Sequence, residues 1–129
     1  MTARWKAYAG SKLCNVLFAA ELSKRYGAGG VVGVAVRPGT VRTGIVRHSL
    51  LMRLLFAVAY PFLTPVEEAG EVIASAVIDQ DIVPGAYYDK RTVKPPSAPA
   101  QDPALQEALW EVTLNVLISG GDLQRAINM

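Results

Sequence analysis

Cysteine and histidine each occur once in this chain, and that scarcity removes several chemistries at the outset. A lone Cys14 forms no internal disulfide. Set on an apolar helical face, it reads as a buried free thiol of a reducing compartment. One histidine and one cysteine make no zinc site. The net charge is only +2, and no basic stripe interleaves with aromatics, which argues against a nucleic-acid partner. Long apolar runs are missing as well. The N-terminal M-T-A-R-W-K has charges but no apolar segment behind it, so no secretory signal is expected. The longest apolar run, residues 50–63, contains Arg53 and is interrupted by Pro61. It falls short of the about 20 residues a spanning helix needs, so no transmembrane span is expected. No internal repeat occurs. What remains is globular material, 51% hydrophobic and 19% charged, in 129 residues, enough for one small domain.

The periodicity predicts a helix over residues 5–26. Leu13, Val16, Leu17 and Ala20 recur at helical spacing, and Gly27, Gly29 and Gly30 stop it. Residues 31–36, V-V-G-V-A-V, have no polar alternation and suit a strand buried on both faces. Pro38-Gly39 turns the chain. A loop follows, and the apolar 50–63 run reads as a short helix ending before Pro61. Thr64-Pro65-x-Glu67-Glu68 opens a helix over 65–79, with Thr64 as N-cap and acids in the first turn. A strand is expected at 85–89, a surface linker over 94–103, and a last helix over 102–118 carrying Leu105, Leu109, Trp110, Val112 and Val116. This alternation argues α/β with parallel strands. Two strands are too few for a stable parallel sheet, so the pattern reads as the C-terminal portion of a larger doubly wound, Rossmann-type domain.

Within the first helix, A-Y-A-G-S-K-L places Tyr8 and Lys12 at i and i+4, roughly 5–6 Å apart at Cβ on one face. A cation beside a phenol stabilises its phenolate. Such a pair can pass a proton to or from an alcohol oxygen, and the ammonium keeps donors for a sugar hydroxyl. Chance produces the same pair often, so the flanks decide. Ser11 reads as a helix-interior serine that faces solvent or bonds a backbone carbonyl.

Those flanks carry a resemblance. Residues 7–25, A-Y-A-G-S-K-L-C-N-V-L-F-A-A-E-L-S-K-R, resemble the active-site helix of short-chain dehydrogenase/reductases, in particular the retinol-dehydrogenase-like branch. V-A-V-R-P-G-T-V-R-T at 34–43 is similar to that family's strand followed by Pro-Gly-x-Val-x-Thr. Thr64-Pro65-x-Glu, Gly85-x-Tyr-Tyr and Leu109-Trp110-Glu111 follow in the family's order, so the resemblance spans nearly the whole chain. It implies an oxidoreductase using NADP or NAD on a small lipophilic alcohol, aldehyde or ketone. Tyr8 would be the catalytic acid/base. Lys12 would act with it and bind the nicotinamide ribose. In a cofactor loop at 38–44, Pro38 and Gly39 would shape the floor beneath the nicotinamide. Val41 would meet the carboxamide through its backbone and Thr43 through its hydroxyl. Residues 45–63 would form the substrate flap, with His48, Arg42 and Arg47 as solvated or rim groups.

The same resemblance implies that the N-terminal cofactor-binding half lies outside this chain. Gly27-Ala28-Gly29-Gly30 follows a helix and precedes a strand, the reverse of a phosphate-binding turn. The chain alone is therefore expected to lack dehydrogenase activity. Strand 31–36, left with an open edge, makes it prone to aggregate. An alternative role is an interaction module that forms a homo- or hetero-dimer through helix 5–26. Another is a membrane-surface module using 50–63 with Arg42, Arg47 and Arg53. The expected location is the cytoplasm, with membrane association as the variant.

Overall fold

A computed structural model describes residues 3–41, 63–78 and 81–119. Its helices are α1 (Ala3–Tyr26), α2 (Val66–Ile78) and α3 (Pro103–Ser119), and its strands β1 (Ala35–Arg37), β2 (Tyr87–Asp89) and β3 (Thr92–Lys94). The strands form one sheet in the order β1-β2-β3. The chain divides into two compact units. The first comprises residues 1–35, 83–87 and 95–129, the second residues 36–82 and 88–94.

In the first unit α1 and α3 pack together, with Trp110 as the anchor. Its indole is buried, stacked on Phe18 at a centroid distance of 5.3 Å and tilted against Tyr26 at 5.8 Å. The Arg25 guanidinium lies 5.2 Å from the same ring. Aromatic pairs of this kind add about 0.5–1.5 kcal/mol each beyond the area they bury. Arg25 is itself held, because its Nε donates to Glu21 Oε1 at 2.5 Å while Lys24 donates to Oε2 at 3.3 Å. Glu21 is almost wholly buried, 1% exposed. Burial pushes its carboxyl up, yet the hydrogen bonds and charges of Arg25 and Lys24 outweigh this and leave its pKa below the ordinary 4.5. Along α1, Leu17 is buried while Leu13, Val16 and Ala20 are half-buried, so the expected apolar stripe faces inward. Cys14 is only half-buried, because it sits beside that stripe and not on its centre line.

The helix expected over 5–26 runs Ala3–Tyr26, that over 65–79 runs Val66–Ile78, and that over 102–118 runs Pro103–Ser119. Asp102 caps the last of these, accepting from the Ala104 N–H at 2.9 Å. The strand expected over 31–36 is corrected to Ala35–Arg37, with Val31 and Val32 exposed. The reason is local. Ser23 Oγ accepts the Gly33 N–H at 2.7 Å and donates to the Gly33 carbonyl at 2.8 Å, so the Gly33 N–H is spent on α1 while its carbonyl is shared between Ser23 and the Gly85 N–H. The clasp needs a glycine, since a Cβ at Gly33 would lie 2.7 Å from the Ala19 carbonyl oxygen.

Strand pairing is parallel between β1 and β2. Gly33 meets Gly85 at 2.8 Å and Ala35 meets Ala86 at 3.1 Å, then Arg37 meets Lys90 at 2.8 Å, both strands ascending together. The strand expected at 85–89 is confined to Tyr87–Asp89. β3 runs back antiparallel, because residues 90–91 are too short for a parallel crossover. Lys90 takes φ 57 to close that turn. The linker expected over 94–103 instead begins with the end of β3 and contains a 3₁₀ turn at Ala98–Gln101.

Replacing Trp110 with alanine removes the ring that Phe18, Tyr26 and Arg25 share. The expected cost is about 3–5 kcal/mol, read as the shift in urea midpoint of the first unit's tryptophan-independent circular dichroism signal. Acid gives a second readout. Because the folded Glu21 pKa lies below the unfolded one, its contribution is complete above pH 4.5 and is lost as pH falls through the folded value. Melting temperature is therefore expected to drop below pH 4.5, with a shallower slope in Glu21→Gln, which starts lower at neutral pH.

Candidate functional site

Tyr8 and Lys12 stand on the exposed N-terminal part of α1. The helix brings them together as the spacing requires, with Lys12 Nζ 5.6 Å from the Tyr8 ring centroid. Trp5 braces the phenol from the preceding turn, edge to face at 6.0 Å. Ser11 Oγ donates to the Tyr8 carbonyl at 2.8 Å, a helix-interior serine occupied by backbone. The Tyr8 side is open, at 56% exposure, so its hydroxyl is accessible to a ligand.

The turn after β1 belongs to the second unit. Pro38, Gly39 and Val41 are half-buried, and Val41 forms a parallel bridge to Thr64. The Thr64 N–H donates to the Thr40 carbonyl at 2.9 Å, which ties the turn to the entry of α2. Gly39 has φ 99, and a Cβ there would overlap Thr64 Oγ1, so both the backbone and the space demand glycine. Thr64 is thus not the N-cap expected from Thr64-Pro65. The Pro65 carbonyl accepts the first helical bond, from Ala69 at 3.0 Å, and Pro65 is the N-cap. Thr43, with the rest of the 38–44 loop and most of the 45–63 flap, lies outside the described residues, as do Arg42, Arg47 and His48. Tyr8 and Lys12 are in one unit, Pro38, Gly39 and Val41 in the other.

The donor set at Tyr8 and Lys12 fits a ribose: a phenol and an ammonium, both exposed and adjacent, can each meet a sugar hydroxyl. The dinucleotide's diphosphate finds no such fit at the glycine run. Gly27–Gly29 is a 3₁₀ turn continuing the end of α1, and Gly30, left-handed at φ 85, spends its N–H on the Gly27 carbonyl at 3.0 Å. That is a helix C-terminus, where carbonyls and not N–H groups face outward. Among the described residues no group of His, Cys, Asp and Glu could hold a metal, and no helix is long and apolar enough to cross a membrane.

Sequence reading missed one grouping. Arg37 Nη1 lies 3.2 Å from Asp89 Oδ1, and Lys94 Nζ 2.7 Å from Asp89 Oδ2. Asp89 is held below the ordinary carboxylate value, chiefly by the Lys94 hydrogen bond; burial opposes this as the next largest effect, and the charges of Lys94 and Arg37 with the Arg37 hydrogen bond keep the balance downward. The available signal was the D-K-R-T-V-K run, whose two-residue turn puts Lys94 on the same face as Asp89 and diagonal to it.

No family model matches the chain. Among curated proteins, it is 39% identical over 115 residues to retinol dehydrogenase 12 of Homo sapiens, covering 86% of this chain and 36% of that protein. It is 34% identical over 113 residues to human retinol dehydrogenase 11, with the same coverage. It is 32% identical over 114 residues to the WW domain-containing oxidoreductase of Drosophila melanogaster, covering 86% of this chain and 28% of that protein. The chain thus spans about a third of the length of the relatives it matches, and these matches agree with the resemblance read from its motifs.

Gly39→Ala is expected to destabilise the second unit by about 1–3 kcal/mol, from the left-handed backbone and the overlap with Thr64. Adding Thr64→Ala should recover part of that loss, since it clears the overlap and leaves the backbone strain. A double-mutant cycle in urea checks it.

Proposed function

We propose, from the premise that this chain belongs over its shared stretch to the retinol-dehydrogenase-like short-chain dehydrogenase/reductases, that it carries the acid–base part of an alcohol/carbonyl oxidoreductase. The observation that carries the reading is the Lys12 ammonium set 5.6 Å from the Tyr8 ring on an exposed helix face. In the reducing direction the Tyr8 hydroxyl gives its proton to the carbonyl oxygen, and in the oxidising direction the phenolate takes one from the alcohol. Lys12 stabilises the phenolate and holds a ribose hydroxyl with its remaining donors. NADP or NAD, when bound, supplies or accepts the hydride at the same carbon. Pro38 and Gly39 let backbone approach the nicotinamide face closely, and Val41 and Thr43 hold its carboxamide. The substrate is a small lipophilic alcohol, aldehyde or ketone, in keeping with the apolar 50–63 stretch and with relatives named for retinol.

The test replaces the corresponding stretch of a retinol dehydrogenase with this chain. The chimera is expected to reduce a lipophilic aldehyde with NADPH. Tyr8→Phe in it should lower kcat by about 10²–10⁴-fold, with NADPH binding, followed by fluorescence, little changed. A Tyr8→Phe chimera within a few-fold of its parent would sink the assignment.

A further inference from the structure

The second unit holds a groove of about 430 Å³ lined by Arg37, Gly39, Thr40, Thr64, Asp89, Lys90, Thr92 and Lys94. Its size is that of a small-molecule site. Its chemistry is almost entirely that of hydrogen-bond donors. Three cations face one carboxylate, so the lining is net positive. Their exposures differ in a way that assigns roles. The Asp89 side chain is 20% exposed, whereas those of Arg37, Lys90 and Lys94 are 56%, 52% and 54% exposed. Asp89 gives one oxygen to Arg37 and the other to Lys94. The carboxylate therefore sits low and fixes two cations whose remaining N–H donors point to an open rim.

The third cation is placed by backbone. Lys90 adopts φ 57, a conformation that costs a non-glycine residue free energy, and donates its N–H to the Arg37 carbonyl at 2.8 Å. Its stem crosses the Pro38-Gly39 turn, where a Cβ at Gly39 would lie 3.5 Å from Lys90 Cε. Its ammonium reaches Glu68 of α2 at 3.1 Å. Thr40, Thr64 and Thr92 add hydroxyls to the same lining. Cations, hydroxyls and a glycine turn around one concavity suit a tetrahedral oxyanion, which accepts from several directions at once.

We propose that this groove is an anion subsite that takes a phosphate group, with Arg37 and Lys94 as its principal ligands and Lys90 as the third. The subsite shares the Gly39 turn with the oxidoreductase reading but does not rest on it, since Tyr8 and Lys12 take no part and its ligands are Arg37, Lys90 and Lys94. The phosphate can come from a small soluble phosphomonoester or from an anionic lipid headgroup, and one set of measurements separates the two.

Amide chemical shifts of the full chain are followed while inorganic phosphate is added at constant ionic strength, with chloride as the reference. Saturable shifts in residues 37–41 and 89–94, at a Kd of about millimolar or below, are expected. Arg37→Gln and Lys94→Gln should each weaken this about tenfold, and Lys6→Gln, on an exposed turn of α1, should leave it unchanged. Lys94 lies in strand β3, whose three residues are all exposed, and a Lys94→Gln spectrum that keeps the parent's dispersion separates lost binding from lost folding. Flotation with phosphatidylcholine vesicles containing phosphatidic acid then distinguishes the sources. Phosphate-competed flotation supports the subsite with a headgroup ligand, and phosphate binding without flotation supports it with a soluble one. Absence of saturation, or equal weakening by Lys6→Gln, overturns the proposal and leaves only diffuse surface charge.

Discussion

The contact between Arg25 and Trp110 sets the order on which the first unit depends. The guanidinium lies against the indole with its charge met by Glu21, one turn earlier on the same helix. The pairing has an energetic asymmetry. Removing Arg25 leaves the buried Glu21 carboxylate with Lys24 alone, whereas removing Glu21 leaves Arg25 as a side chain that water still reaches. The more distant carboxylates of Glu107 and Glu111, 4.0 and 3.9 Å from Arg25 and more than half exposed, matter far less. The burial of Trp110 and the seating of Phe18 and Tyr26 against it accompany that neutralised cation.

The second unit is organised on a different principle. Its short strands bury little, and its order comes from turns whose geometry admits few residues: Gly39 against Thr64, Lys90 at positive φ, Asp89 between two cations. Among its described residues Leu63, Ala69, Val72 and Tyr88 are buried, so backbone conformation and charge placement act together with a small apolar core.

How much of this was legible beforehand differed by element. The three helices were readable because apolar spacing, a Thr/Asp-Pro start and terminal glycines act over long stretches and reinforce one another. Trp110 was readable as part of the last helix, though its partners were not, since Phe18 and Tyr26 lie far from it in sequence. The strands were the weak point. The run V-V-G-V-A-V satisfies every local criterion for a buried strand, but the Ser23 hydroxyl captures Gly33 and shortens the ladder. Thr64 failed similarly: its hydroxyl was assigned to the helix start, while the bridge to Val41 drew it toward the turn. Of the candidate site, the Tyr8–Lys12 pair was readable because both residues share one helix face. In the Asp89 cluster Lys94 shares a hairpin with Asp89 and was within reach of a local pattern, whereas Arg37 comes from another segment and was not.

The placement of burial along α1 has one further mechanical meaning. The first fully buried residue is Leu17, and Tyr8 stands nine positions before it, roughly 13 Å along the axis at 1.5 Å per residue. The phenol is thus carried at the end of a lever arm whose fulcrum is the Trp110 cluster. A small tilt at that fulcrum is magnified at the phenol oxygen, so the position of the Tyr8 hydroxyl is set by the seating of the Trp110 cluster and the stiffness of the helix between them.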